Sequence, residues 1–261
     1  MWPRSLSTSQ AETIWAIAIV ALIILAVLLP PHAQEQAYHA FADQRAWAVT
    51  WPVMTSVMLP NTLDTLTNAA FMAVGALGLY WLKNGSLAER NTNMRRSILL
   101  FSLGAIAIGL TSAYYHLDPT DSSLIPDRIA MAFTFAGVLA MMAQDRVSSR
   151  AGQWTLLMFV FIAPCSVVVW ATTGNLTPYY VLQFGGILLL IVMLLLRASA
   201  GHGPGFVALL VCYTLAKISE ALDLQIFVAT QDLISGHSLK HLFAALGMLL
   251  LLWPMRTNRQ G

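Results

Sequence analysis

Long apolar stretches alternate with short polar breaks along the whole chain. The apolar runs fall near residues 14–30, 63–82, 97–116, 127–144, 154–172, 179–197, 205–222 and 238–253. Each is close to the roughly 17–25 residues that cross a bilayer as a helix. The runs are continuous and do not alternate, which argues against a transmembrane barrel. A helix also satisfies its own backbone groups in lipid. The pattern predicts an all-α polytopic membrane protein with one membrane domain.

Composition agrees. The chain is 57% hydrophobic and 10% charged, against about 25% charged residues in average soluble domains. That leaves too little polar surface to coat a soluble globule. The net charge of +2 points to no nucleic-acid partner. The first run could be the core of a signal peptide, but it is long and its basic flank is Arg4 alone. A retained helix is the expected reading. Cys165 and Cys212 lie within apolar runs and form no CxxC pair, so both are expected to be buried, inert thiols.

The distribution of charge orients the chain. Lys83, Arg90, Arg95 and Arg96 share one connection, Arg146 and Arg150 another, and Arg197, Arg256 and Arg259 follow later runs. In an alternating topology all fall on one side, with Arg4. The opposite side holds Arg45, Arg128 and Lys240 near segment ends, and is richer in acid: Asp43, Asp118, Asp121 and Asp232. The positive-inside rule then puts both termini in the cytoplasm, across the inner membrane if the source is bacterial.

The far side gathers the candidate chemistry. Ser112 and His116 are four apart and share one helix face. Asp118-Pro119 should stop that helix. Pro126 is placed to open the next one, which puts Asp127 in its first turn. His237 and His241 are also four apart, at the start of the last apolar run, where a histidine is costly without a partner. His116 falls at the same membrane level. Three neutral imidazoles with one open position are a catalytic zinc pattern, and no cysteine is near. Ser238, Leu239 and Lys240 separate the two histidines, so a base must come from elsewhere, and Asp127 is the best placed. Ser112 could orient a water or donate to an oxyanion. The plainer readings are a helix-start acid and a packing serine.

Other features carry alternatives. Residues 31–60 form a far-side connection, expected to be partly an interfacial helix. Asn61 can cap the helix that follows, with Asp64 in its first turn. Asp43, Asn61, Asp64 and Asn68 could instead form an oxygen-rich cation site. Gly75 and Gly78 suit close helix packing. Lys217, Glu220 and Asp223, spaced by threes, form a polar ridge; with Tyr115 they are either structural or a wall facing a lipid substrate. His32, His39 and His202 are expected to be solvated.

These residues resemble a known family. Ser112-x-x-x-His116, Asp127 eleven residues later, and His237-x-x-x-His241 on the last helix are similar to the CREST superfamily of alkaline ceramidases and progestin and adiponectin receptors. The wording is most similar to bacterial ceramidase-like members: Pro60-Asn61-Thr62-Leu63-Asp64-Thr65-Leu66-Thr67-Asn68, Tyr114-Tyr115-His116-Leu117, Asp127-Arg128 and Ser235-Gly236-His237-Ser238-Leu239-Lys240-His241. The likeness spans roughly residues 43–253. It implies a seven-helix core with the run at 14–30 as an extra helix. The expected division is 1–60, a core over 61–255, and a tail over 256–261. It implies zinc held by His116, His237 and His241, with Asp127 and Ser112 completing the site, and hydrolysis of the amide of a ceramide-like membrane lipid. A receptor-like lipid-binding protein with structural zinc shares that ligand set. A transporter is a third reading, opposed by the lack of repeat halves and broken helices. The ceramidases also carry an acidic calcium-binding segment before the first core helix, whose cluster of acids this chain lacks.

Reporter fusions after Arg96, Arg150 and Arg256 should score cytoplasmic, and a fusion near Ser122 on the opposite side. An inverted pattern would move the candidate site to the cytoplasmic face.

Overall fold

The computed structural model describes residues 7–51, 54–84, 87, 91–196 and 203–256. Arg4, Arg90, Arg197, His202 and Arg259 lie outside the described residues. The helices are α1 (Thr8–Leu28), α2 (Thr62–Thr67), α3 (Ala69–Lys83), α4 (Thr92–Leu117), α5 (Asp121–Arg146), α6 (Ser149–Thr173), α7 (Thr177–Leu196), α8 (Gly203–Ala221), α9 (Asp223–Ala229) and α10 (Gly236–Leu252). Among the described residues seven helical segments are long and apolar enough to cross a membrane, and the bent α8–α9 pair makes an eighth if counted as one span. This is an integral multi-pass membrane protein.

The packing order closes a ring. α3 packs on α4, α4 on α5, α5 on α6, α6 on α7, α7 on α8, α8 on α10, and α10 back on α3. Helix α1 sits outside the ring against α7. Its inner stripe of Trp15, Ile19 and Leu22 is buried, and Trp15 Nε1 donates to Thr155 Oγ1 on α6 at 2.8 Å. Outward-facing Val27, Leu110, Phe161 and Leu195 are exposed. A belt of exposed large apolar side chains is what a lipid-facing surface requires, since lipid is as apolar as they are.

The helix contacts confirm the expected role of the glycines in α3. A Cβ on Gly75 would lie 2.7 Å from Ile106 Cγ1 and 2.9 Å from Ile106 N. Only glycine lets α3 and α4 approach so closely, and this contact sets the spacing between the helix that carries His116 and its neighbour.

Four expectations are corrected. Helix α5 begins at Asp121, not at Pro126. Thr120 caps it: its Oγ1 accepts from Ser123 N at 3.1 Å, and Ser123 Oγ accepts from Thr120 N at 3.0 Å. That reciprocal capping box outweighs the one backbone bond that Pro126 forfeits, and Asp127 lands in the second turn. Among the described residues the connection 31–60 holds no interfacial helix beyond the 3-10 turn Gln36–His39. Instead β1 (Trp47–Trp51) pairs antiparallel with β2 (Met54–Leu59), as suits a stretch rich in Trp, Val and Thr. The seventh apolar run forms α8, but α9 follows it at 81°, a broken helix where none was expected, so the Lys217–Glu220–Asp223 ridge is interrupted at Leu222. Finally, Cys212 is buried but Cys165 is exposed on the outer face of α6.

Replacing Gly75 by isoleucine should destabilise the bundle by about 1–3 kcal/mol, the usual cost of overpacking. Thermal unfolding in detergent reads this as a lower midpoint, and an unchanged midpoint would refute the close contact.

Candidate metal centre

His116 stands in the last turn of helix α4, and α10 begins with His237 and His241 in its first two turns. The three rings meet at nearly equal centroid separations: 4.9 Å for His116–His237, 5.1 Å for His116–His241 and 4.9 Å for His237–His241. One nitrogen from each lies within 4.8 Å of the others, and all three residues are buried. The structure thus brings together three residues up to 125 positions apart. Phe41, from the N-terminal connection, covers His116 at 4.7 Å and His237 at 4.5 Å.

The donor set fits a metal ion. Both ring nitrogens of His116 are buried and have no hydrogen-bond partner among the described residues. Leaving them so in an apolar interior is costly unless an ion engages one of them. His241 Nδ1 lies 2.9 Å from Thr67 Oγ1. The Thr67 hydroxyl donates its one proton to the Leu63 carbonyl at 2.8 Å, so it accepts from Nδ1–H. That fixes the tautomer and leaves Nε2 of His241 as the ligand, the usual outer-shell arrangement at a histidine–metal site.

Two carboxylates hold the start of α10 in place. Asp64 Oδ1 accepts from Ser235 Oγ at 2.9 Å and from Ser238 Oγ at 2.6 Å. Ser235 is itself the N-cap, accepting from Ser238 N at 2.9 Å. Asp223 Oδ1 accepts from His237 N at 2.7 Å, and its Oδ2 accepts from Ala42 N at 2.9 Å. The approach is tight, because a Cβ on Gly236 would stand 2.7 Å from Asp223 Cα. The break between α8 and α9 turns Asp223 toward these amides, so of the two readings of the polar ridge Asp223 follows the structural one.

The residues considered for a cation site divide between other tasks. Asp43 is bidentate to Arg45, at 2.7 Å from both Nε and Nη2. Asn61 adopts φ 45° and does not cap with its side chain; its Nδ2 donates to the His116 carbonyl at 2.8 Å, which steadies the end of α4. Asp64 braces α10 as described. Asn68 donates to the Asp64 carbonyl at 2.7 Å.

A cavity of about 270 Å³ opens beside the histidines inside the ring. Ser112, Asp127, Tyr115 and His241 border it. Asp127 is 7% exposed, and its Oδ1 has no partner among the described residues, so the carboxylate keeps a free acceptor. Lys217, Glu220 and Lys240 also border the cavity. Glu220 receives both ammonium groups, Lys217 at 2.5 Å and Lys240 at 2.6 Å. The rest of the lining is mainly aliphatic and aromatic, with Phe71, Leu124, Met131 and Phe135 among it. Charged side chains beside an imidazole in a mainly apolar lining suit a lipid amide.

Sequence reasoning missed three participants. His39 is not a solvated histidine: its Nδ1 lies 2.8 Å from the Tyr115 hydroxyl, and its Nε2 lies 3.1 Å from Asp121. Thr67 and Phe41 were not singled out, although Thr67 falls within the Pro60–Asn68 stretch that carried the resemblance.

Comparison with known proteins agrees with this geometry. Residues 53–202 match the ceramidase family, more than half of the chain, and the protein belongs to that family. The match contains Ser112, His116 and Asp127 and stops before α10. No curated protein and no solved structure matches the chain. Family membership supports an amidohydrolase acting on ceramide-type lipids, and the buried triad can hold a metal ion.

Thr67→Val removes the acceptor for His241 Nδ1 with little change in shape. Outer-shell losses of this kind cost roughly 10–100-fold in metal affinity, and competition against a chromogenic chelator should show that loss. Undiminished affinity would mean that Thr67 does not orient the ligand.

Proposed function

We propose that the protein is a zinc-dependent intramembrane hydrolase that cleaves the amide of a ceramide-like lipid into a fatty acid and a sphingoid base. The observation that carries this reading is the free carboxylate oxygen of Asp127 on a cavity shared with His241 and Ser112. His116, His237 and His241 would hold the ion. Zinc so placed supplies Lewis acidity and a water acidic enough to lose its proton near neutral pH. Asp127 would accept a proton from a water attacking the amide carbon and would deliver one to the leaving nitrogen as the C–N bond breaks. Ser112, one turn before His116, donates to the developing oxyanion. The apolar lining takes the acyl and sphingoid chains, so burial of the substrate positions the amide. Calcium is no part of this reading, since Arg45 supplies the positive charge at Asp43.

His237→Ala and His241→Ala should each sharply reduce bound zinc, measured by elemental analysis of protein purified without added metal, and should abolish turnover of a short-chain ceramide. Asp127→Asn should retain zinc and lose about 10²–10⁴-fold in turnover, as expected for a general acid–base residue. Ser112→Ala should cost less, on the order of 10–10³-fold. Zinc retention together with unchanged turnover in Asp127→Asn would remove Asp127 from the chemistry. Tight lipid binding with no hydrolysis by zinc-loaded wild type would favour a receptor-like protein.

A further inference from the structure

Next to Asp127 in the chain stands a second buried charge that the hydrolytic reading does not use. Arg128 is 3% exposed and borders the same cavity. Its guanidinium is caged by three aromatic rings: Trp170 at 4.1 Å, Tyr179 at 5.2 Å and Tyr38 at 5.6 Å. Nη2 donates to Gln34 Oε1 at 2.5 Å. Nη1 is buried and has no partner among the described residues, and no carboxylate there pairs with this guanidinium. Aromatic faces stabilise a cation only in part, and a neutral amide supplies no counter-charge. A full positive charge inside a membrane bundle is normally paired.

The charged lining of the cavity has the same bias. Its cationic side chains are Arg128, Lys217 and Lys240, and its carboxylates are Asp127 and Glu220. Both lysines are spent on Glu220. One carboxylate cannot neutralise two ammonium groups, and Arg128 has no carboxylate partner among the described residues, so the charged side chains of the cavity are one anion short even when Asp127 is ionised.

We propose that Arg128 is a specificity residue that receives an acidic headgroup, a phosphate or an equivalent oxyanion, carried by the lipid whose amide is cleaved. The proposal rests on the hydrolase reading and sharpens its substrate class. A guanidinium suits such a group, because its planar N–H donors match a tetrahedral oxyanion. The positions also agree. Asp127 and Arg128 border one cavity, and in a sphingoid skeleton the headgroup oxygen is only two carbons from the amide nitrogen, so one substrate can meet both. The aromatic cage keeps the guanidinium in place before substrate arrives, and Gln34 occupies Nη2 while Nη1 has no partner among the described residues.

The test compares kcat/KM for one N-acyl sphingoid base bearing a terminal phosphate and the same lipid bearing a free hydroxyl. Wild type should prefer the phosphate lipid by about 10–100-fold, the value of one charge-assisted hydrogen bond. Arg128→Gln should collapse that ratio toward one, and Arg128→Lys should restore part of it. General damage to the fold lowers both rates together and leaves the ratio alone. A wild-type ratio of one or below, or an unchanged ratio in Arg128→Gln, would overturn the proposal. Binding is read separately by thermal stabilisation of Asp127→Asn protein with the two lipids, a free fatty acid and inorganic phosphate. Arg128-dependent stabilisation confined to the phosphate lipid is expected. An equal Arg128-dependent effect from the fatty acid would assign the residue to the product carboxylate, and an equal effect from inorganic phosphate to a soluble anion; either sinks the headgroup assignment. If neither lipid is cleaved, the hydrolase reading fails, and the binding comparison alone decides the role of Arg128.

Discussion

Three imidazoles held together in an apolar interior set the terms for the rest of this structure. Neutral histidine nitrogens without partners are costly there, so the site persists only if the helices that carry them are fixed in depth and rotation. Helix α4 is fixed by its packing on α3 and α5 and by Asn61, which holds the His116 carbonyl. Helix α10 is fixed at its first turn by two carboxylates from different directions. Asp64 takes two hydroxyls, and Asp223 takes the His237 amide. Even the break at Leu222 follows from this need, since a straight eighth span would carry Asp223 away from α10.

The cavity explains why such a centre would sit within a membrane protein at all. Its lining is mainly aliphatic and aromatic, with charged side chains and His241 among the rest. A substrate with two long chains would lose little on leaving the bilayer for such a lining, so selectivity must come from its polar side chains. Among them Glu220 pairs with two lysines while Asp127 keeps a free oxygen. The arrangement separates groups that stabilise the bundle from groups left available to a ligand.

The sequence made the spans and the triad legible, and it did so for physical reasons. Periodicity reports burial, and an i, i+4 histidine pair reports a shared face whatever the fold. Ser112 and His116 were readable in the same way. The failures involve contacts between distant elements or choices between competing local signals. Nothing local in Asp64 tells that it meets Ser235 and Ser238, more than 170 positions away, and its place in a first turn suggested a cap instead. His39 looked like a surface residue because its partners, Tyr115 and Asp121, belong to another part of the chain. At α5 two start signals competed, and the Thr120–Ser123 box overruled Pro126. The hairpin between Trp47 and Leu59 was hidden because a short β-branched and aromatic run in a membrane protein reads as an interfacial segment.

The central claim is that His116, His237 and His241 bind one zinc ion by their imidazoles. Zinc-edge X-ray absorption on the purified protein tests it most directly. The account predicts three imidazole nitrogens at about 2.0–2.1 Å with one further light-atom ligand, and loss of the imidazole signal in His116→Ala. A shell containing sulfur, or six oxygens with no imidazole scattering, would contradict it.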